Sequence, residues 1–231
     1  MISSVFRRAV HVSLLALTGT ILFPACSSKN APSETATHLP YYGDRAMQPE
    51  PISGPADTIF TVPSFTLTNQ DRKTITNDTF KGKIYVTDFF FATCPSICPK
   101  MQSELLRVYE KFQGDPRVLF LSHTIDPAHD SIPVLRDYAE RLGIKDASRW
   151  HFATAPHDTI FSLARAYMTG AMEDATVKGG FAHSGTFALV DPQRHIRGVY
   201  DGMEPSQVNK LMQDIPVLLK EIEAEKQTAA R

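Results

Sequence analysis

The stretch Ile84-Tyr85-Val86-Thr87-Asp88-Phe89-Phe90-Phe91-Ala92-Thr93-Cys94-Pro95-Ser96-Ile97-Cys98-Pro99 decides the architecture. Apart from Asp88, its first eight residues are β-branched or aromatic, and so short and apolar a run predicts a strand covered on both faces. Met101, Leu105, Val108 and Phe112 then recur at helical spacing, and Gly114 supplies a stop. The order strand, cysteine loop, helix places two thiols just beyond the carboxyl end of a strand, where α/β sheets gather their chemistry. Pro99 fits the first position of a helix, which predicts Cys98 as the N-cap residue. Both sulfurs are then expected at a helix N-terminus, whose partial positive charge favours thiolate, the form that attacks disulfides or binds metal. The alternative is a buried structural disulfide or two core cysteines. Closing so short a loop removes little chain entropy, so the pair is read as chemistry rather than scaffold.

The composition excludes other classes. Lys and Arg number 24 against 25 Asp and Glu, the net charge is −1, and no segment concentrates cations, so nothing asks for nucleic acid. Three cysteines cannot build a disulfide framework.

Residues 1–25 have the layout of an export signal: Arg7-Arg8, an apolar run over 9–23, then Pro24-Ala25-Cys26. The run is short for a membrane span. Leu22-Phe23-Pro24-Ala25-Cys26 resembles a bacterial lipoprotein processing site, which implies a lipid on Cys26 and a membrane-anchored, extracytoplasmic (periplasmic-side) protein. That compartment is oxidising. Residues 26–58 are rich in Ser, Ala, Pro and Thr and read as a flexible tether, with Tyr41-Tyr42 expected to pack on the domain. The folded domain is expected over 59–225, and 226–231 as a disordered tail. It opens with a β-hairpin through Phe60-Thr61-Val62, Phe65-Thr66-Leu67 and Thr74-Ile75-Thr76. Further strands are expected over 118–124 and 150–154, with helices over 134–142 and 160–167. A last hairpin from Phe181 to Tyr200 closes the sheet, and a helix after Pro205 is bent at Pro216. From Glu221 onward the chain reads as solvated.

This succession resembles the thioredoxin fold: α/β, a central mixed sheet flanked by helices, here with the N-terminal hairpin as an extension. Asp88, six residues before the first cysteine, strengthens the likeness. The spacing Cys-x-x-x-Cys with Pro99, the run Asp126-Pro127-x-x-Asp130 and the late His183-Ser184 are similar to the Sco/SenC family of copper-handling proteins involved in cytochrome c oxidase assembly. The resemblance implies Cys94, Cys98 and His183 as ligands of one copper ion. Two thiolates suit Cu(I), and an added imidazole suits Cu(II) as well. It also implies a copper-binding subunit of a terminal oxidase and a thiol reductant as partners. Members often carry an acid before this histidine, where this chain has Ala182.

Other residues leave alternatives. Asp126 reads either as support behind the ligands, or a weak ligand, or as a turn or cap residue. Asp88 requires a partner if buried and resembles the proton carrier of thioredoxins. His123 reads as a buried, hydrogen-bonded histidine, His129 and His157 as solvated. Two functions share the same residues: a metallochaperone delivering copper to the oxidase, or a thiol-disulfide oxidoreductase in which Cys94 and Cys98 form the redox-active pair that reduces the target's copper-binding cysteines. A peroxiredoxin fits less well, since that branch works with one activated cysteine. His183 discriminates, because a reductase has no need of a distant imidazole.

Overall fold

Ile84–Phe90 is a strand, and all seven of its residues are buried, as a run of that composition requires. It lies mid-sheet in a computed structural model that describes residues 38–43, 50–52, 59–145, 147–177, 179–182 and 184–229, all within one unit spanning 35–231. Along the chain come β1 (Tyr41–Gly43), β2 (Glu50–Ile52), β3 (Thr66–Asn69), β4 (Thr74–Thr76) and β5 (Ile84–Phe90). Then follow α1 (Cys98–Phe112), β6 (Val118–Thr124), α2 (Ile132–Arg141), β7 (Trp150–Thr154) and α3 (His157–Ala166). A small ribbon of β8 (Met172–Glu173) and β9 (Phe181–Ala182) precedes β10 (Thr186–Val190), β11 (Ile196–Asp201) and α4 (Pro205–Ala229).

Among the described residues nine strands make one sheet in the order β2-β1-β11-β10-β5-β6-β7-β3-β4. Strands β5, β6 and β7 are parallel, and β10 and β3 flank them antiparallel. Alternation along β5 assigns its side chains to two layers. Asp88 and Phe90 meet Gln102 of α1 and Tyr138 of α2, while Tyr85 and Phe89 meet Tyr167 just beyond α3. Phe89, Phe90, Phe120, Trp150 and Phe152 are all at most 1 % exposed. Burial of each such ring contributes about 2–3 kcal/mol. The fold is the expected mixed sheet with helices on its faces.

Four expectations change in detail. The hairpin β3–β4 forms, but beside β7 at the far edge, and residues 60–62 are not strand. The hairpin β10–β11 does not close the sheet, because β1 and β2 continue it. The stretch read as tether therefore supplies two strands, and Leu39 is 2 % exposed in the core. Glu221, read as solvated, is 8 % exposed, and α4 continues through 226–229 where a disordered tail was expected. The physical reason is one buried cluster. Arg197, 2 % exposed, pairs with Glu221 and lies 3.3 Å from Asp191, and it donates to the carbonyls of Leu39 (2.7 Å) and Pro40 (3.3 Å). Glu221 also accepts the Leu39 amide at 3.1 Å, and the Tyr41 ring covers the guanidinium at 4.1 Å. Tyr41 and Tyr42 thus pack on the domain as expected, while composition hides the strands around them because none of these partners is nearby in sequence.

Residues 1–37, including the expected signal and Cys26, lie outside the described residues, as do 44–49, 53–58, Asp146, Lys178, His183 and 230–231. Among the described residues no helix is long and apolar enough to cross a membrane.

Replacing Glu221 by Ala leaves the Leu39 amide without its acceptor and the buried guanidinium with Asp191 as its remaining carboxylate. Urea unfolding is expected to show a loss of about 3–5 kcal/mol, the usual cost of breaking a buried pair from one side. A loss below about 1 kcal/mol, the range of an exposed pair, would remove the cluster as the clasp of the N-terminal segment.

Candidate metal centre

The loop between β5 and α1 carries both cysteines. The Cys94 amide donates to the Phe91 carbonyl at 3.2 Å, which turns the chain, and the Met101 amide donates to Ile97 at 3.0 Å, which starts the helix. Ile97 is the N-cap, with no capping side chain, and Cys98 and Pro99 are the first two helical residues. The expected cap is thus displaced by one. The N–H groups of the whole first turn lack intrahelical partners, so proline is tolerated at its second position as well as its first.

Cys94 and Cys98 are both buried and form no disulfide. Their exposure differs: 9 % for Cys94 and 1 % for Cys98. The hydrogen bond with Cys94 pushes the Cys98 thiol well up, burial adds to this, and a backbone hydrogen bond from Phe91 offsets part of it. This corrects the expectation that the helix N-terminus makes Cys98 a ready thiolate. The dipole contributes about 0.3–1 kcal/mol, less than one pKa unit, and the hydrogen bond with Cys94 together with burial outweighs it. A metal that binds here must displace protons, and its affinity rises with pH.

Beneath the thiols lies Asp88, fully buried. Its carboxylate accepts from the Gln102 amide at 2.5 Å and from the Ser122 hydroxyl, which in turn accepts from the Trp150 indole at 2.9 Å. Sequence reasoning left this partner unnamed. The available signal was Gln102 four residues after Cys98, hence on the same helix face.

A second anchor went unnoticed. Asp130, 1 % exposed, accepts the Ala92 amide at 3.0 Å and the Thr124 hydroxyl at 2.5 Å, tying the start of the cysteine loop to the end of β6. It is the last residue of the run Asp126-Pro127-x-x-Asp130. Burial pushes its pKa up. Asp126 itself shapes the turn: its carbonyl accepts from the amides of His129 and Asp130, and its carboxylate lies 2.9 Å from His129 Nδ1. His129 is exposed, and His157 is half-exposed between Asp158 and Glu173.

His123 is fully buried, with Nδ1 3.1 Å from the Thr87 hydroxyl and its ring stacked on Phe89 at 4.5 Å. Burial holds its pKa down to about 3. His183 lies outside the described residues, between Ala182 and Ser184. The ribbon before it meets the cysteine loop at Phe91, whose ring is 5.3 Å from that of Phe181. Gly179 packs on the same ring at φ +99°, where a Cβ would come within 2.8 Å of Phe91 Cζ, so only glycine fits. Among the described residues no group of three His, Cys, Asp or Glu side chains is arranged to hold a metal ion.

The family model described as SCO1/SenC matches residues 54–220. The chain belongs to the SCO1/SenC family. The SCO1 protein homolog of Bacillus subtilis is 25 % identical over 158 residues, 68 % of this chain and 81 % of that protein. The solved structure of BsSco, described as a member of the Sco family of cytochrome c oxidase assembly proteins with a disulfide switch, superposes with a TM-score of 0.61 at 24 % identity. That match covers 69 % of this chain and 93 % of BsSco. Arabidopsis thaliana ScoI, solved with copper bound, gives a TM-score of 0.59 at 21 % identity, over 70 % of this chain and 99 % of that one. The fold shared by these SCO1/SenC proteins is thioredoxin-like.

Two of the buried histidines, His123 and His151, weaken the fold in acid, since burial holds the pKa of His151, like that of His123, down, here to about 4. Both are neutral when folded and take a proton when unfolded below about pH 6.5. The unfolded state therefore binds more protons as pH falls from 6.5 towards these values, and stability falls with it. From pH 6.5 to 5 the loss is about 2 kcal/mol per histidine, opposed in part by exposed His129 and His157, whose pKa values carboxylates raise, and by Asp130, whose pKa burial raises. Urea unfolding at pH 7 and 5 checks this, and His151→Gln is expected to remove about half of the slope. Equal midpoints at the two pH values would contradict it.

Proposed function

We propose that the chain carries one copper ion on Cys94, Cys98 and His183 and passes it, by exchange of ligands, to the copper-binding subunit of a terminal oxidase during assembly. The observation that carries this reading is the dithiol: two sulfurs hydrogen-bonded to each other and unlinked by a disulfide, at the carboxyl end of a central strand. Adjacent thiols suit soft Cu(I), and the imidazole of His183 would let the same site take Cu(II). The BsSco and Arabidopsis descriptions, oxidase assembly and bound copper, support the same reading. Asp88, held by Gln102 and Ser122, and Asp130, holding Ala92, keep the loop in place for it.

The reductase reading keeps one specific support, the unequal exposure of the sulfurs. Cys94 would attack a partner's disulfide, the partner's second sulfur leaving as thiolate. Cys98 would then attack Cys94 to release the reduced partner and leave a Cys94–Cys98 disulfide, which a thiol reductant must reopen.

Copper competition against a coloured chelator, on the reduced protein in detergent, separates the two. One tightly held Cu(I) is expected, lost on Cys94→Ser or Cys98→Ser. His183→Ala should weaken Cu(II) by about 100-fold and Cu(I) by less than about tenfold, because the harder ion depends on nitrogen. If neither oxidation state is held tightly, the reductase reading replaces this one.

The anchor belongs to the same proposal, resting on Leu22-Phe23-Pro24-Ala25-Cys26. A lipidated Cys26 would hold the domain on the extracytoplasmic side of a membrane. The mature protein is expected to begin at Cys26 with added acyl mass, and a mature chain that retains Met1 in the mass spectrum would eliminate the anchor.

A further inference from the structure

Cys94 opens onto a groove of about 280 Å³ between the cysteine loop, α1 and α2. Phe91, Pro99, Tyr138 and Leu142 give it apolar walls, and Arg141 is its one charged lining residue. Cofactor and drug-sized pockets run from about 300 to 1,000 Å³, so this one suits one or two side chains of a larger partner. Gln102 also lines it. The Gln102 amide nitrogen is committed to Asp88, but its oxygen is fully buried and has no hydrogen-bond partner. An acceptor orphaned in such a place is unfavourable.

We propose that this groove seats an extended segment of the protein that exchanges copper or electrons with Cys94. That segment presents a cysteine to Cys94, an apolar side chain next to it, and a carboxylate to Arg141. The inference rests on the proposed function for its partner and adds how that partner is recognised. Arg141 pairs with Asp137 at 3.0 Å and lies over the Tyr138 ring at 5.7 Å; both side chains of the ion pair are more than 60 % exposed, so the pair is weak and readily exchanged for a partner's carboxylate. The apolar walls lie next to the more exposed of the two sulfurs, so a residue neighbouring the partner's cysteine is the one they select.

Single-thiol chemistry tests this without copper. Cys26→Ser and Cys98→Ser leave Cys94 as the one cysteine of three. The probe is an acetylated, amidated tetrapeptide, leucine-cysteine-glycine-glutamate, whose sulfur carries thionitrobenzoate. The Cys94 thiolate attacks the peptide sulfur, a Cys94–peptide disulfide forms, and the coloured thiolate leaves, its release giving the rate. Arg141→Glu is expected to slow this peptide by about fivefold. A lysine in place of the glutamate should restore the rate, and the neutral reagent dithiodipyridine should react unchanged. Leu142→Ala should slow the leucine peptide by about fivefold and a glycine analogue hardly at all. Equal rates for the glutamate, lysine and glycine peptides, no rescue by lysine, or a Cys94 inert to both reagents would each overturn the proposal. Copper loading of the Arg141→Glu protein with its cysteines intact keeps the questions apart. Loss of peptide selectivity with normal copper binding removes the groove, whereas selectivity with no copper binding removes the chaperone reading.

Discussion

The site depends on β5 being covered on both faces. A strand with all seven residues buried must pair on both edges and accept helices above and below, and here β6 and β10 supply the edges. Its carboxyl end is then the first place where the chain can leave the core, and the cysteine loop starts there. Parallel pairing with β6 brings the end of that strand alongside. Thr124 pairs with Phe90, and Asp130 reaches from just beyond β6 to hold Ala92. The sheet thus fixes where the loop that carries the sulfurs begins.

The electrostatics of the loop follow from the same burial. A helix N-terminus should favour thiolates, yet Cys98 sits so deep, and so close to Cys94, that its proton is retained. Asp88 adds a carboxylate under the pair, and it is tolerated because Gln102 and Ser122 satisfy it within a chain ending at Trp150. A soft cation would reverse this balance, since it exchanges two protons for one metal ion at sulfurs already in place. A preformed dithiol with a depth difference between its sulfurs also explains why chaperone and reductase readings draw on the same atoms.

At the opposite end of the sheet the N-terminal segment is clasped to the domain. Tyr42 pairs with Ile196 at the start of β11, whereas the cysteine loop lies beyond the far end of β5, antiparallel to the intervening β10. The chain thus enters the domain at the pole away from its thiols. The buried Arg197 cluster fixes that entry point through backbone carbonyls as well as carboxylates.

The sequence alone determined strand, cysteine loop and helix, because these follow from local runs: β-branched and aromatic residues over 84–91, prolines beside both cysteines, and apolar spacing from Met101 to Phe112. It also carried the family likeness, since the cysteine spacing and the Asp126-Pro127-x-x-Asp130 run are contiguous. Only the tertiary structure decided what depends on distant partners. Leu39 meets Glu221 across 182 residues, and Asp130 meets Ala92 across 38. Tyr41 and Tyr42 pack on the domain as expected, but periodicity cannot pair such distant residues, so the strands β1 and β2 fell in a stretch read as tether and Glu221 in one read as solvated. The N-cap shifted by one residue because proline is compatible with either of two positions in the first turn. The hydrogen bond between Cys98 and Cys94 and the depth of Cys98, which together outweigh the helix dipole, are likewise properties of packing that no local pattern encodes.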